Sequence, residues 1–477
     1  MRPRRLTRRV CAPCAAQVCV ISTLSATTLA DTVARIPQNG DFRRRVEFSD
    51  IFEHYIGHRM ATLTQAVVFL NLLSQNLAAI VACAQMFDSF AGAFWPGATV
   101  ALRLSPAPVA WVRWDAASQC HPSAGNSEGK SALCVPFASE GQDALLISAG
   151  YVACCSLFAP LGLLTLEENM YQQNFSFVAL LLLVTQFIFA FCSTGLRAGS
   201  LPWIGVHWID TVGVVIFNFA FCVTVPSWLN EKAPGVSVNR VFWTSTVLST
   251  LLYTSVGVLG ALAFANVPEN MLSLMVSEQV GLPTRLCGIL FGVLIIGFGV
   301  PIFCVIMRYN LVNGGLCSEP WAHVWSSVLP WGTAWTLYQG SVTRKLLDYS
   351  GLVLNGFTDF VAPGVVTLIS LGAAQRIARC CRWYPTPSSS ATGANYIPAG
   401  ATVAPRRRGD PAKGSSSTTP HGDLSPTELR PVGSRVGSTL IQPFPAALRP
   451  LYVEIVAGMV AFLLVVLPVA IWLQAND

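Results

Sequence analysis

Few residues in this chain could do chemistry, and they sit where polar groups are costly. The run WIDTVGVVIFNFAFCVTVPSWLNEK at 208–232 is apolar enough to enter a bilayer, yet it carries Asp210, Asn218, Thr224, Pro226 and Ser227. Polar groups and a proline inside such a run face a cavity or a partner helix. Asn218 stands among Phe217, Phe219 and Phe221, so an amide and aromatic rings could form a small pocket for an amino-acid backbone and an apolar side chain. The alternative is a buried aromatic stripe around one satisfied amide. Pro226 cannot donate a backbone hydrogen bond and therefore permits a helix break, the device by which transport proteins expose main-chain groups at mid-membrane.

Two other apolar runs carry polar groups at helical spacing. In NLLSQNLAAIVACAQ at 71–85, Asn71, Ser74 and Gln75 share one helix face and can bond a ligand or a neighbouring helix. In LVLNGFTDFVAP at 352–363, Asn355 and Asp359 lie one turn apart. A carboxylate inside a membrane span is a candidate for proton coupling; pairing with Arg344 or Lys345 near an interface is the alternative.

The chain has no GxxxxGK[ST] loop, no HExxH and no GxSxG, and its six histidines are scattered. The sequence therefore predicts no catalytic residues, no enzyme and no organic cofactor. Most of the 15 cysteines fall in apolar runs, where a thiol behaves as a small hydrophobe, so no metal site is expected.

The elements that must position these groups follow from composition. With 53% hydrophobic and 11% charged residues, and a mean hydropathy of +0.53, the chain lacks the charge that a soluble surface of 477 residues would carry. An all-α, multi-pass integral membrane protein is predicted, with the lipid bilayer as its surroundings. Apolar windows long enough to cross it lie near 61–85, 143–166, 174–196, 208–228, 241–265, 285–307, 322–341, 352–374 and 451–473. A tenth, at 11–33, is poor in bulky aliphatics and follows the basic segment 1–10.

The net charge is +6, and basic residues gather beside the spans: Arg35, Arg43, Arg44, Arg45 and Arg59 over 35–59, and Arg376, Arg379, Arg382, Arg406, Arg407, Arg408 and Lys413 after 374. Basic residues beside spans mark the cytoplasmic side rather than a nucleic-acid partner. The loop at 86–142 then faces outward, where Cys120 and Cys134 are a candidate disulfide; two unpaired thiols are the alternative. From 385 to 449 the chain is rich in Pro, Ser, Thr and Gly without apolar periodicity. It reads as a disordered cytoplasmic linker, open to a cytoplasmic partner, ahead of a final helix within 450–477.

FNFAFCVTVPSWLNEKAPGVSVNRVFWTSTVLSTLLYTSVGVLGALAF at 217–264 resembles the amino acid/auxin permease family. RRVEFSDIFEHYIG at 44–57, NLLSQNLAAIVACAQ at 71–85, MRYNLVNGGLCS at 307–318, VLPW at 328–331 and LVLNGFTDFVAP at 352–363 look like its further landmarks, in order. The resemblance implies a five-plus-five inverted-repeat fold of about ten helices over 11–380 and secondary active transport of amino acids, usually with protons. It places Asn218, Phe219, Ala220 and Phe221 at an unwound helix holding the substrate, with Asn71 and Gln75 as further substrate-side groups and Asp359 as the proton-coupling carboxylate. It also disfavours sodium, because LCGILFGVLIIGFGVPIFCVIM at 286–307 has no Ser or Thr to complete the sodium site usual in that fold. A helix with a glycine-rich bend is expected before residue 11, and Gly40 is the first glycine. The fold is therefore expected to be incomplete, which keeps a transporter-like sensor or scaffold, or an inactive fragment, as alternatives.

Overall fold

Helix α3 (His58–Phe94) is the axis on which the other elements are assembled. Its 37 residues extend about 55 Å at 1.5 Å per residue, longer than a bilayer core requires, so it is expected to tilt or project. The computed structural model describes residues 12–95, 97–105, 108–114, 136–137, 140, 144–197, 213, 215–264, 271–276, 280–338, 350–383, 443–444 and 446–476. Preceding α3 are α1 (Ala12–Ala34) and the short amphipathic α2 (Phe48–Tyr55). After it come strands β1 (Thr99–Ser105), β2 (Ala110–Trp114) and β3 (Leu145–Ser148), then α4 (Ala149–Phe158) and α5 (Leu166–Thr194).

The second half holds α6 (Val225–Glu231), α7 (Val238–Ala263), α8 (Met271–Val276), α9 (Leu282–Leu290) and α10 (Phe298–Asn313). It continues with α11 (Glu319–His323), α12 (Leu329–Thr336), α13 (Ala362–Trp383) and α14 (Tyr452–Asn476). Three stretches within it are π-helical: Phe291–Gly297, Val324–Val328 and Gly351–Val361. The chain forms one compact unit of Met1–Leu371 with Thr439–Asp477 and a second of Gly372–Ser438. The described part of the second is the end of α13.

Among the described residues, six helices are long and apolar enough to cross a membrane: His58–Gly92, Leu166–Thr194, Val238–Ala263, Leu282–Asn313, Leu352–Ala373 and Leu448–Trp472. This is a helical architecture of the multi-pass membrane kind, and six of the ten expected spans stand as unbroken apolar helices among the described residues. At 143–166 the apolar run divides into strand β3, the ten-residue α4 and a 3-10 turn, Pro160–Leu163. At 208–228 the helix is interrupted, and its first residues lie outside those described, as do Asp210, Arg344, Lys345, the Cys120–Cys134 pair and nearly all of the 385–449 linker. At 11–33 a helix does form, but Ser22, Thr23, Ser25, Thr27, Thr28, Asp31 and Thr32 are all fully buried in it. Thr23, Thr27 and Thr32 return their hydroxyls to the carbonyl four residues earlier, which makes a polar helix compatible with a dry interior.

The expectation of an all-α chain needs one correction. β2-β1-β3 form a small antiparallel sheet, pairing Ala101 with Val112 and with Ser148. Loop-like composition over 86–142 concealed the alternation in TVALRLS and AWVRW, whose inward residues Ala101 and Trp114 are buried.

Packing divides along α3. One apolar cluster joins α1, α2, α6, α7 and α10 around Leu29, Phe48, Ile51 and Leu72. The other joins the sheet, α4 and α12 around Ile80, Trp114, Phe158 and Trp331. Where α4 meets α3, Asp88 accepts hydrogen bonds from Ser148 Oγ at 2.5 Å, Tyr338 Oη at 2.5 Å and Gly150 N at 2.8 Å. A Cβ on Gly150 would lie 2.6 Å from the Asp88 backbone nitrogen, so only glycine lets the start of α4 approach this carboxylate.

Candidate functional site

The helix that resumes at residue 215 stops almost at once. Phe219 N bonds Val215 O at 3.2 Å and Ala220 N bonds Phe217 O at 3.3 Å; then the chain leaves the helix at Phe221, with φ −133° and ψ 0°. Cys222–Thr224 form a 3-10 turn, and α6 begins with Pro226 in its first turn, where a missing N–H removes no helical bond. The break anticipated from Pro226 therefore lies just before it, over residues 219–224.

The main chain freed by this break is held from two sides. Ser22 Oγ of α1 donates to Phe219 O at 2.6 Å. On the other side, Val223 N donates to Asp359 Oδ1 at 3.3 Å. Asp359 belongs to the π-helical stretch Gly351–Val361, a geometry frequent at functional sites, and is 1% exposed.

From Asp359 a chain of hydrogen bonds runs to α3. Thr358 Oγ1 donates to Asp359 Oδ2 at 2.9 Å and accepts from Asn71 Nδ2 at 2.8 Å. Gln75 Nε2 reaches Asn71 Oδ1 at 3.3 Å and Asn355 Oδ1 at 2.7 Å, and Ser74 Oγ bonds Asn71 O at 2.8 Å. Asn355 Nδ2 is buried with no partner among the described residues, a donor of the kind that a bound acceptor would satisfy. Asn71, Gln75 and Asp359, separate in sequence, are thus parts of one network. Chemically, it offers one ionisable group, a free amide donor and direct contact with an unwound main chain.

The aromatic residues are placed differently. Phe219 is buried against Tyr253, ring centroids 5.9 Å apart, and Phe221 stands against Phe242 at 6.1 Å, so both pack on α7. Asn218 is exposed and Ala220 half-buried. Sequence reasoning missed Thr358 and Ser22. Thr358 directly precedes Asp359, but nothing in the sequence ties it to Asn71.

A second carboxylate holds the far end of the broken helix. Glu47, at the start of α2, accepts from Ser227 Oγ at 2.8 Å and Asn230 Nδ2 at 3.3 Å on α6, and from Asn313 Nδ2 at 3.1 Å at the end of α10. Asn230 also bonds Val46 N and Val46 O. Burial pushes the Glu47 carboxyl above its ordinary 4.5, Asp50 adds to that rise, and the bonds from Ser227 and Asn313 and the Arg45 charge oppose it.

The folded chain thus keeps this proton to higher pH than the unfolded chain does. The stability it contributes is full below pH 4.5 and falls as pH climbs through the folded-state value. Glu47→Gln, which can re-pair with Ser227 and both asparagines by amide rotation, is expected to flatten the dependence of the thermal midpoint above pH 4.5. The difference between wild type and variant, measured from pH 4 to 8 in detergent, removes the parallel contribution of Asp50. Identical slopes would show that Glu47 does not titrate in this range.

No family model, curated protein or solved structure matches the chain.

Proposed function

We propose that the chain is a secondary active transporter of amino acids driven by protons. The observation that carries this reading is the interrupted helix at 219–224, whose freed Val223 N–H meets the buried carboxylate of Asp359. Free N–H groups at the start of a half-helix attract a carboxylate, and freed carbonyls attract an ammonium. An amino-acid zwitterion presents both. Asp359 supplies a group that can bind and release a proton beside that main chain, and Asn71, Thr358 and Gln75 transmit its charge state to α3. The resemblance of 217–264 to amino acid/auxin permeases points the same way, as does the lack of hydroxyl residues over 286–307 for the sodium alternative.

The test is uptake of each of the twenty labelled amino acids into vesicles bearing the chain, with and without an inward proton gradient. Accumulation that collapses when the gradient is dissipated is expected for at least one of them. Binding without gradient-driven accumulation would identify an amino-acid sensor instead, and neither binding nor uptake would overturn the reading.

A further inference from the structure

Two main-chain groups freed by the break at 219–224 already carry the protein's own side chains. Val223 N donates to the Asp359 carboxylate at 3.3 Å, and Phe219 O accepts from the Ser22 hydroxyl at 2.6 Å. A carboxylate on an N–H and a donor on a carbonyl are the two contacts that an amino-acid zwitterion would make with such a main chain. Ser22 and Asp359, buried at 0% and 1% exposure, thus hold the places of a ligand's two polar ends.

The two are released differently. Ser22 needs only a turn of its hydroxyl to the carbonyl four residues earlier, the bond that Thr23, Thr27 and Thr32 make in the same helix. Asp359 is held by its charge, and Thr358 shows how that hold ends. The single proton of Thr358 Oγ1 has two acceptors, Asp359 Oδ2 at 2.9 Å and Leu354 O at 2.8 Å, and the same oxygen accepts from Asn71 Nδ2. With Asp359 ionised, that proton serves the carboxylate. With Asp359 protonated, its new O–H donates to Thr358 Oγ1, the threonine proton turns to Leu354 O, and every donor in the set keeps an acceptor. The arrangement therefore satisfies both protonation states. A neutral carboxyl is the weaker partner for Val223 N, since hydrogen bonds to a charged group are about twice as strong as neutral ones.

The groups facing Asp359 are few. They are the buried Cys222 thiol on the break, the neutral amides of Asn71 and Gln75 on α3, and the apolar Leu463 and Leu467 of α14, whose Glu454 is exposed. Asp31, the acid of α1, pairs with Arg35 and with Tyr452 of α14. Among the described residues no cation pairs with Asp359, so its charge is answered by hydrogen bonds alone.

We propose that Asp359 and an amino-acid carboxylate compete for the Val223 N–H, so that a proton must bind Asp359 before the amino acid can bind. This rests on the transport reading and adds an order of events to it.

The competition is tested first without any transported amino acid. Asp359→Ala removes the resident carboxylate and leaves the Val223 N–H open. In the purified full chain carrying it, formate is expected to raise the thermal midpoint in a saturable way at neutral pH. Formamide, neutral and of similar shape, is expected to do nothing, and wild type and Asp359→Asn to respond to neither. Should Asp359→Ala fail to fold, Asp359→Ser, whose hydroxyl can return to its own helix, carries the same expectation. A folded variant that ignores formate, or answers formamide equally, would overturn the competition whatever the chain transports. The second arm uses the amino acid that the uptake assay identifies. Its apparent affinity in gradient-free exchange is expected to fall in wild type by up to about tenfold per pH unit once Asp359 is ionised, and to stay level with pH in Asp359→Asn. An affinity independent of pH in wild type would overturn the order of binding. If formate rescues Asp359→Ala and no amino acid is bound or taken up, the transport reading fails while the carboxylate site stands.

Discussion

Asp359→Asn is expected to abolish the response of uptake to a proton gradient while leaving the fold in place. Asparagine matches aspartate in shape. Its oxygen still accepts from Val223 N, and its amide can donate to Thr358 Oγ1, the atom that now donates to Asp359 at 2.9 Å. What it loses is the capacity to change charge, on which the proposed coupling depends. Gradient-driven accumulation should fall at least tenfold, with a thermal midpoint close to that of wild type and amino-acid exchange in the absence of a gradient largely retained. Uptake that still responds to the gradient would exclude Asp359 as the coupling group. Asp359→Leu separates the structural part of the role: it leaves the Val223 N–H without its acceptor, and a buried donor left so costs about 1–3 kcal/mol.

Arg308→Leu is expected to cost more stability than Asp359→Leu. Arg308 is 6% exposed and donates to Gly162 O at 3.3 Å, Leu163 O at 3.1 Å and Leu164 O at 2.5 Å, with His323 Nδ1 at 3.3 Å. These three carbonyls end the turn after α4, just before the Thr165–Glu168 capping box that starts α5. One guanidinium thus satisfies the connection between two helices. Leucine fills the space but donates nothing, so three acceptors lose a charged donor together, at a cost of about 3–5 kcal/mol. Lysine restores the charge without the planar fork and should recover only part of this. Thermal unfolding in detergent measures both, and a loss below about 1 kcal/mol would show that water replaces the guanidinium at these carbonyls.

Much of the architecture was legible because the bilayer restricts what a sequence can do. An apolar run of sufficient length announces a helix, and α3, α5, α7, α10, α13 and α14 lie where such runs lie. The interruption near 219–224 could be read from one residue, Pro226. The faces of the site could be read from spacing, as with Asn71 and Gln75 or Asn355 and Asp359. What spacing does not encode is which face meets which: the Asn71–Thr358 bond joins residues 287 positions apart. Arg308 was similarly opaque. An arginine at the end of an apolar run reads as a boundary marker, whereas here it is interior because carbonyls of another turn replace its water. The sheet escaped notice because short strands between turns are locally indistinguishable from loops in composition.

The π-helical stretch Gly351–Val361 makes the site depend on a count of residues as well as on their identities. Asn355, Thr358 and Asp359 all lie within this wider segment, so their common orientation depends on its i→i+5 winding. Removing one residue there, with the winding tightened to an α-helix, leaves all three polar side chains in the chain but rotates them relative to Asn71 and Val223.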